Sequence, residues 1–155
     1  MRRLTLCLVA ACAVAALTSS VAPAKNGRGT LCVLHAKLTV RSETTGSTST
    51  AKGHTLIKVR QDGTIKFKTQ IKNRDHETFV AGHIHQAPVG VAGPIVVPLF
   101  GAPAPPTSAR HIKESGVATP NVGTTGADLC LTPSAYYVNY HTTAFPGGAI
   151  RGQLR

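Results

Sequence analysis

From Leu31 onward the chain alternates apolar and polar side chains in short runs with a period near two, the spacing of strands buried on one face. Residues 31–40 form the first run, and the Ser/Thr-rich segment 42–50 after it offers little that could pack. The clearest unit follows, where runs 54–60 and 64–71 flank Gln61-Asp62-Gly63. A two-residue Asp-Gly turn would pair Val59 with Lys66 and put apolar and basic residues on both faces. A three-residue loop, with Gly63 left-handed in a bulge, pairs Val59 with Ile65, Ile57 with Phe67 and Lys58 with Lys66. One face is then apolar and the other basic, so this register is the expected one.

Runs 79–86 and 93–99, joined by the Gly/Pro-rich segment 87–92, come next. Pro94 and Pro98 bracket Ile95-Val96-Val97 and lack N–H donors, which predicts a short edge strand. Residues 101–127 hold no sustained period and read as a long loop with one short element near 111–117. A brief apolar run at 129–131 precedes Thr132-Pro133-Ser134, and runs 135–142 and 149–154 around Phe145-Pro146-Gly147-Gly148 predict a closing hairpin. Seven or eight short strands with no internal boundary predict one all-β domain, an antiparallel β-sandwich or Greek-key barrel. The whole chain's 15 Gly and 10 Pro, with no Trp and one Met, argue equally against a helical bundle.

The first 24 residues follow another pattern. Arg2 and Arg3 precede an apolar run to Leu17 and a small-residue stretch ending Ala22-Pro23-Ala24, the three zones of a secretory signal peptide, so the domain proper is 25–155. The run is shorter than the about 20 residues that span a bilayer, which argues against an uncleaved anchor, and no later run approaches that length. Export would make the protein secreted or periplasmic. Cleavage would remove Cys7 and Cys12 and leave Cys32 and Cys130, a pair that an oxidising compartment joins as a disulfide. Two buried free thiols are the alternative, and a Cys-His zinc site lacks the paired ligand spacing.

Lys and Arg number 17 against 6 Asp and Glu, a formal charge of +11 that falls to +9 without the leader. Such a balance favours polyanionic partners. In the expected register Lys58, Arg60, Lys66 and Lys68 share the outer face of the first hairpin, with Lys72 nearby, and that face fits an anionic envelope polymer. The plainer alternative is a solvated face whose lysines discourage aggregation. No aromatic side chain interleaves with them to stack on bases, so specific nucleic-acid recognition is not expected.

Candidate chemistry concentrates in histidine. In His83-Ile84-His85, residues two apart project from one strand face, so an inward Ile84 turns both imidazoles outward. In Tyr136-Tyr137-Val138-Asn139-Tyr140-His141, an inward Val138 turns Tyr137, Asn139 and His141 outward by the same rule. If the two strands meet, His83, His85 and His141 form a candidate site for copper or zinc, with Tyr137, Asn139 and Arg151 around the ligands. The alternative is structural, with the histidines hydrogen-bonded to loop backbone and pinning the Pro-rich segments onto the sheet. His111 is the one further ligand to weigh, and His35, His54 and His76 are scattered. Without a Gly-x-Ser-x-Gly elbow or a paired-carboxylate pattern among Glu43, Asp75, Glu77, Glu114 and Asp128, an enzyme is the less favoured class.

The string Gly82-His83-Ile84-His85, followed by residues 90–100 (GVAGPIVVPLF), resembles the central motif of the CHRD domain, which occurs in chordin and in many microbial secreted proteins. Residues 135–154 (AYYVNYHTTAFPGGAIRGQL) are similar to that family's closing motif, and Asp62-Gly63-Thr64 stands before both as its usual strand turn. The resemblance covers about residues 31–154. Ser42-Glu43-Thr44-Thr45-Gly46 replaces the family's common Pro-containing stretch after the first strand, and Gln86-Ala87-Pro88 replaces a Gly and Pro directly after the second histidine. The fold implied is immunoglobulin-like or similar to copper-zinc superoxide dismutase, a sandwich that also carries His-x-His on an outward strand face. The acidic zinc subsite and the full set of dismutase histidine spacings are missing, so dismutase activity is not expected. Chordin's antagonism of growth factors does not carry over to an isolated domain. Two functions stand open: a non-enzymatic extracellular binding or structural module, docked on an anionic envelope polymer or another extracellular protein, and an exported copper- or zinc-binding protein.

Overall fold

Thr30–Thr39 (β1), Lys52–Arg60 (β2), Ile65–Lys72 (β3), Phe79–Gln86 (β4), Ile95–Phe100 (β5), His111–Ala118 (β6), Tyr136–Thr142 (β7) and Ile150–Gln153 (β8) pair antiparallel in one sheet. The structure is a computed structural model that describes residues 29–101 and 104–155; the leader expected at 1–24, with Cys7 and Cys12, lies outside the described residues. The strand order is β5-β4-β7-β8-β1-β2-β3-β6. The sheet winds into a nearly closed barrel, and Asn121 bridges its two edges from beyond β6: its N–H donates to Val96 O at 2.8 Å and its Nδ2 to Ile95 O at 2.9 Å. β5 is an edge strand, as the absent donors of Pro94 and Pro98 require.

The period-two pattern maps directly onto the barrel. Leu34, Ile57 and Phe67 share one inner row, and Gly116 on β6 completes it by leaving room for the Phe67 ring. Ile84 and Val138 meet across β4 and β7, both fully buried. The first hairpin has the three-residue register: Val59 pairs with Ile65, Ile57 with Phe67 and Lys58 with Lys66, and Gly63 sits at φ +82°. The interior also holds a polar chain in which the Tyr140 hydroxyl donates to Thr69 Oγ1 at 2.8 Å and Thr69 lies 2.8 Å from Thr55 Oγ1.

Two local expectations change. The short element near 111–117 is a full eight-residue strand, because its inner residues Ile112 and Ala118 pack under β3 as the barrel closes. The apolar run at 129–131 is the end of a short helix, Gly126–Leu131 (α1), that caps the barrel with buried Leu129. Its signal lay in Thr125 and Asp128, which form a reciprocal capping box three residues apart. Cys32 on β1 and Cys130 on α1 form a disulfide with Cα atoms 5.9 Å apart, tying this cap to the sheet.

Candidate metal centre

β4 and β7 are neighbours, and their register sets His83 opposite Asn139 and His85 opposite Tyr137. With Ile84 and Val138 inward, His83, His85, Tyr137, Asn139 and His141 all project from the outer face. That face is not open to solvent. The loop 87–93 folds over it from one side and the β7–β8 turn from the other, so His85 and His141 keep 7% and 8% of their surface and His83 is half-buried.

Each covering segment is held by an imidazole. His85 Nδ1 lies 2.9 Å from Gly93 O, and His141 Nδ1 lies 2.9 Å from Pro146 O. A carbonyl only accepts, so both Nδ1 atoms carry the proton and both Nε2 atoms carry a lone pair. His83 Nδ1 then donates to His141 Nε2 across 3.2 Å. His85 Nε2 is buried with no hydrogen-bond partner. One ring nitrogen from each of the three histidines falls within 4.8 Å of the other two. The 3.2 Å pair is close to the about 3.4 Å that separates two nitrogens on a tetrahedral ion with bonds of about 2.0–2.1 Å, so the two could share an ion once the His83 proton moves from Nδ1 to Nε2.

Burial, together with repulsion from His141 and His85, pulls the His83 pKa down to about 4. Burial lowers those of His85 and His141 as well. All three rings are therefore neutral near pH 7, the state in which imidazole is a ligand. A surface cavity of about 350 Å³, lined by His83, Pro98 and Gly101 among others, opens beside the most exposed ring.

The surrounding residues act on the loop as much as on the rings. Tyr137 stacks on His85 with ring centroids 4.9 Å apart, and its hydroxyl accepts from the Gly93 N–H at 3.1 Å. Arg151 lies on the other face of that stack, its guanidinium carbon 3.3 Å from the Tyr137 centroid, and donates to Val91 O and Pro88 O at 2.8 and 2.9 Å. Gln153, missed in the sequence, donates to Ala87 O at 2.8 Å; it follows Arg151 by two on β8, and the period of two could have found it. Asn139 lies between His83 and Arg151 in the register, its Oδ1 buried without a partner. Gly148, at φ +141°, presses so closely on it that a Cβ there would fall 2.6 Å from Asn139 Nδ2. Glu43, which no local pattern marks, reaches the same spot; its Oε1 also lacks a partner, and burial pushes its pKa up to about 7 against the pull of Arg151.

The other expected residues lie elsewhere. His111 faces outward on β6 opposite Lys72 and takes no part in the cluster. Lys58, Arg60, Lys66 and Lys68 stand together on the outer face of β2 and β3, in the other half of the strand order.

Eight antiparallel strands in one nearly closed sheet place the molecule among all-β barrel-like domains. The chain belongs to the CHRD domain family, whose model matches residues 34–154. No curated protein and no solved structure matches it.

Proposed function

We propose that this CHRD domain is exported and binds one copper or zinc ion through His83, His85 and His141. The observation that carries the reading is His85 Nε2, a buried lone pair with no partner on a ring that clusters with two other neutral imidazoles. A buried polar atom left unpaired costs about 1–3 kcal/mol, and a metal ion is a partner that removes that cost. Three imidazoles without thiolate or carboxylate suit copper and zinc, and as three ligands they would leave a fourth tetrahedral position for water or another ligand. The structural role weighed for these histidines is compatible with this one, because each ring has two nitrogens: the Nδ1 atoms of His85 and His141 hold loops, which orients their Nε2 atoms. Export is supported by the Cys32–Cys130 disulfide, which fits a non-cytoplasmic compartment. Among the described residues no helix is long and apolar enough to cross a membrane.

Elemental analysis of protein purified without chelators should find about one equivalent of copper or zinc, and His83→Ala or His141→Ala should weaken binding by about 100-fold or more. Absence of metal in the purified protein, together with titrated affinity that is indifferent to both substitutions, rejects the reading.

A further inference from the structure

The outer face of β1, β2, β3 and β6 carries cations in every cross-strand row. Lys52 stands opposite Lys72, Lys37 shares a row with His54 and Lys113, Lys68 lies beside Leu56 and His35, and Lys58 stands opposite Lys66 with Arg60 beyond. Rows repeat at about 6.8 Å along the strands and columns at about 4.8 Å across them. Two shallow depressions mark this face. One of about 270 Å³ is lined by Lys37, Lys52, Lys72 and Lys113, and the other, of about 520 Å³, by Lys58, Arg60, Lys66 and Lys68.

Among the described residues no Asp or Glu side chain shares this face. Glu114 is on the inward side of β6, in register with Thr69, and Asp62 is in the β2–β3 turn with its carboxylate accepting from Thr64 N. Asp75 lies in the loop beyond β3, bonded to Thr50, and Asp128 caps α1. Like charges directly opposite each other on a sheet are destabilising, and this face tolerates two such pairs. Protection of a free sheet edge does not explain them, because β2 and β3 are both paired on either side and the edges are β5 and β6.

We infer that this face is a docking surface for a linear acidic polysaccharide. The charge is complementary, and lysine, a mobile point charge, suits sulfate or carboxylate groups on a flexible chain. Nucleic acid is the poorer fit. The tyrosines all lie on β7, and Phe67, Phe79 and Phe100 are buried, so the rings among these cations are the imidazoles of His35, His54 and His111, and no Phe or Tyr is exposed there to stack on a base. The surface is independent of the histidine centre, which occupies β4 and β7.

The test uses the purified protein against immobilised heparin, as the sulfated probe, and polygalacturonate, as the carboxylate probe. At least one should bind at about 50 mM NaCl and weaken about tenfold or more by about 300 mM. The triple variant Lys58→Gln/Lys66→Gln/Lys68→Gln should lose about tenfold or more, while Arg41→Gln/Arg74→Gln/Arg110→Gln, outside the four strands and equal in charge change, should lose less than about threefold. A thermal melt checks that both fold, and the face variant should melt no lower than the parent because it removes the Lys58–Lys66 repulsion. Binding to neither probe, equal losses in the two variants, or tighter binding to duplex DNA than to both polysaccharides would overturn the proposal.

Discussion

His83 Nδ1 donates to His141 Nε2 across 3.2 Å, and the direction of that bond is set by a third group, the Pro146 carbonyl that takes the proton on His141 Nδ1. The metal-free protein should therefore show, in long-range nitrogen–proton correlation spectra near pH 7, His141 protonated on Nδ1 and bare on Nε2. His85 should have the same tautomer, imposed by Gly93 O. A zinc titration should shift both Nε2 resonances. The opposite tautomer at His141 would show that the Pro146 contact does not orient the ring.

The stack of His85, Tyr137 and Arg151 predicts a graded effect on the metal. Tyr137→Phe keeps the ring packing and removes only the acceptor for Gly93 N–H, freeing the residue whose carbonyl orients His85. Metal affinity should fall by about 10-fold, within the range of outer partners, while stability falls by about 1 kcal/mol. Titration calorimetry and chemical denaturation of the same variant separate the two effects.

Glu43 predicts a pH dependence of stability. Its folded pKa is pushed up to about 7 from an ordinary 4.5, so between those values the folded protein holds a proton that the unfolded chain has released. Stability from this group is greatest below pH 4.5 and declines as pH rises to about 7. Glu43→Gln should flatten that decline and raise stability at about pH 8 by about 1 kcal/mol, a figure discounted for the partial exposure of the side chain. Denaturant midpoints that keep the parent's slope with pH in the variant would show that the decline has another source.

The Cys32–Cys130 disulfide closes a loop of 98 residues between β1 and the helical cap. Reduction, or paired Cys→Ser substitution, should lower stability by about 2–5 kcal/mol. Because the bond joins α1 to the sheet, hydrogen exchange in the reduced protein should accelerate first at residues 126–131. Uniform acceleration would place the effect in the unfolded chain alone.

Gly82 is required by Tyr140. The two residues are paired across β4 and β7, and a Cβ at position 82 would lie 2.4 Å from Tyr140 Cε1. The tyrosine cannot yield cheaply, since its hydroxyl is bonded to buried Thr69. Gly82→Ala should destabilise by about 1–3 kcal/mol, and Gly82→Ala combined with Tyr140→Ala should cost less than the two single changes added. Additive thermal denaturation data would contradict the clash.

Much of this fold was legible locally. The β2–β3 register follows from where Val59, Ile65, Ile57 and Phe67 must go, and the outward direction of His83, His85, Tyr137 and His141 from Ile84 and Val138. α1 was missed because six residues hold too little periodicity to stand out from a Gly- and Thr-rich loop, although its capping box was present. Outward also proved to mean buried, since loops 87–93 and 143–149 cover the face and their carbonyls enter the site.

By itself the sequence determined the strands, their faces and the choice of histidines, because side-chain alternation is a property of the backbone over two residues. Only the tertiary structure decided that β4 and β7 are neighbours, bringing together residues 58 apart, and which nitrogen of each ring is left free. Those facts depend on barrel closure and on loop carbonyls far along the chain, and no local spacing encodes them. The basic face divides the same way: one hairpin predicts Lys58, Arg60, Lys66 and Lys68, but the pairing of β1 and β6 beside it adds Lys37 and Lys113.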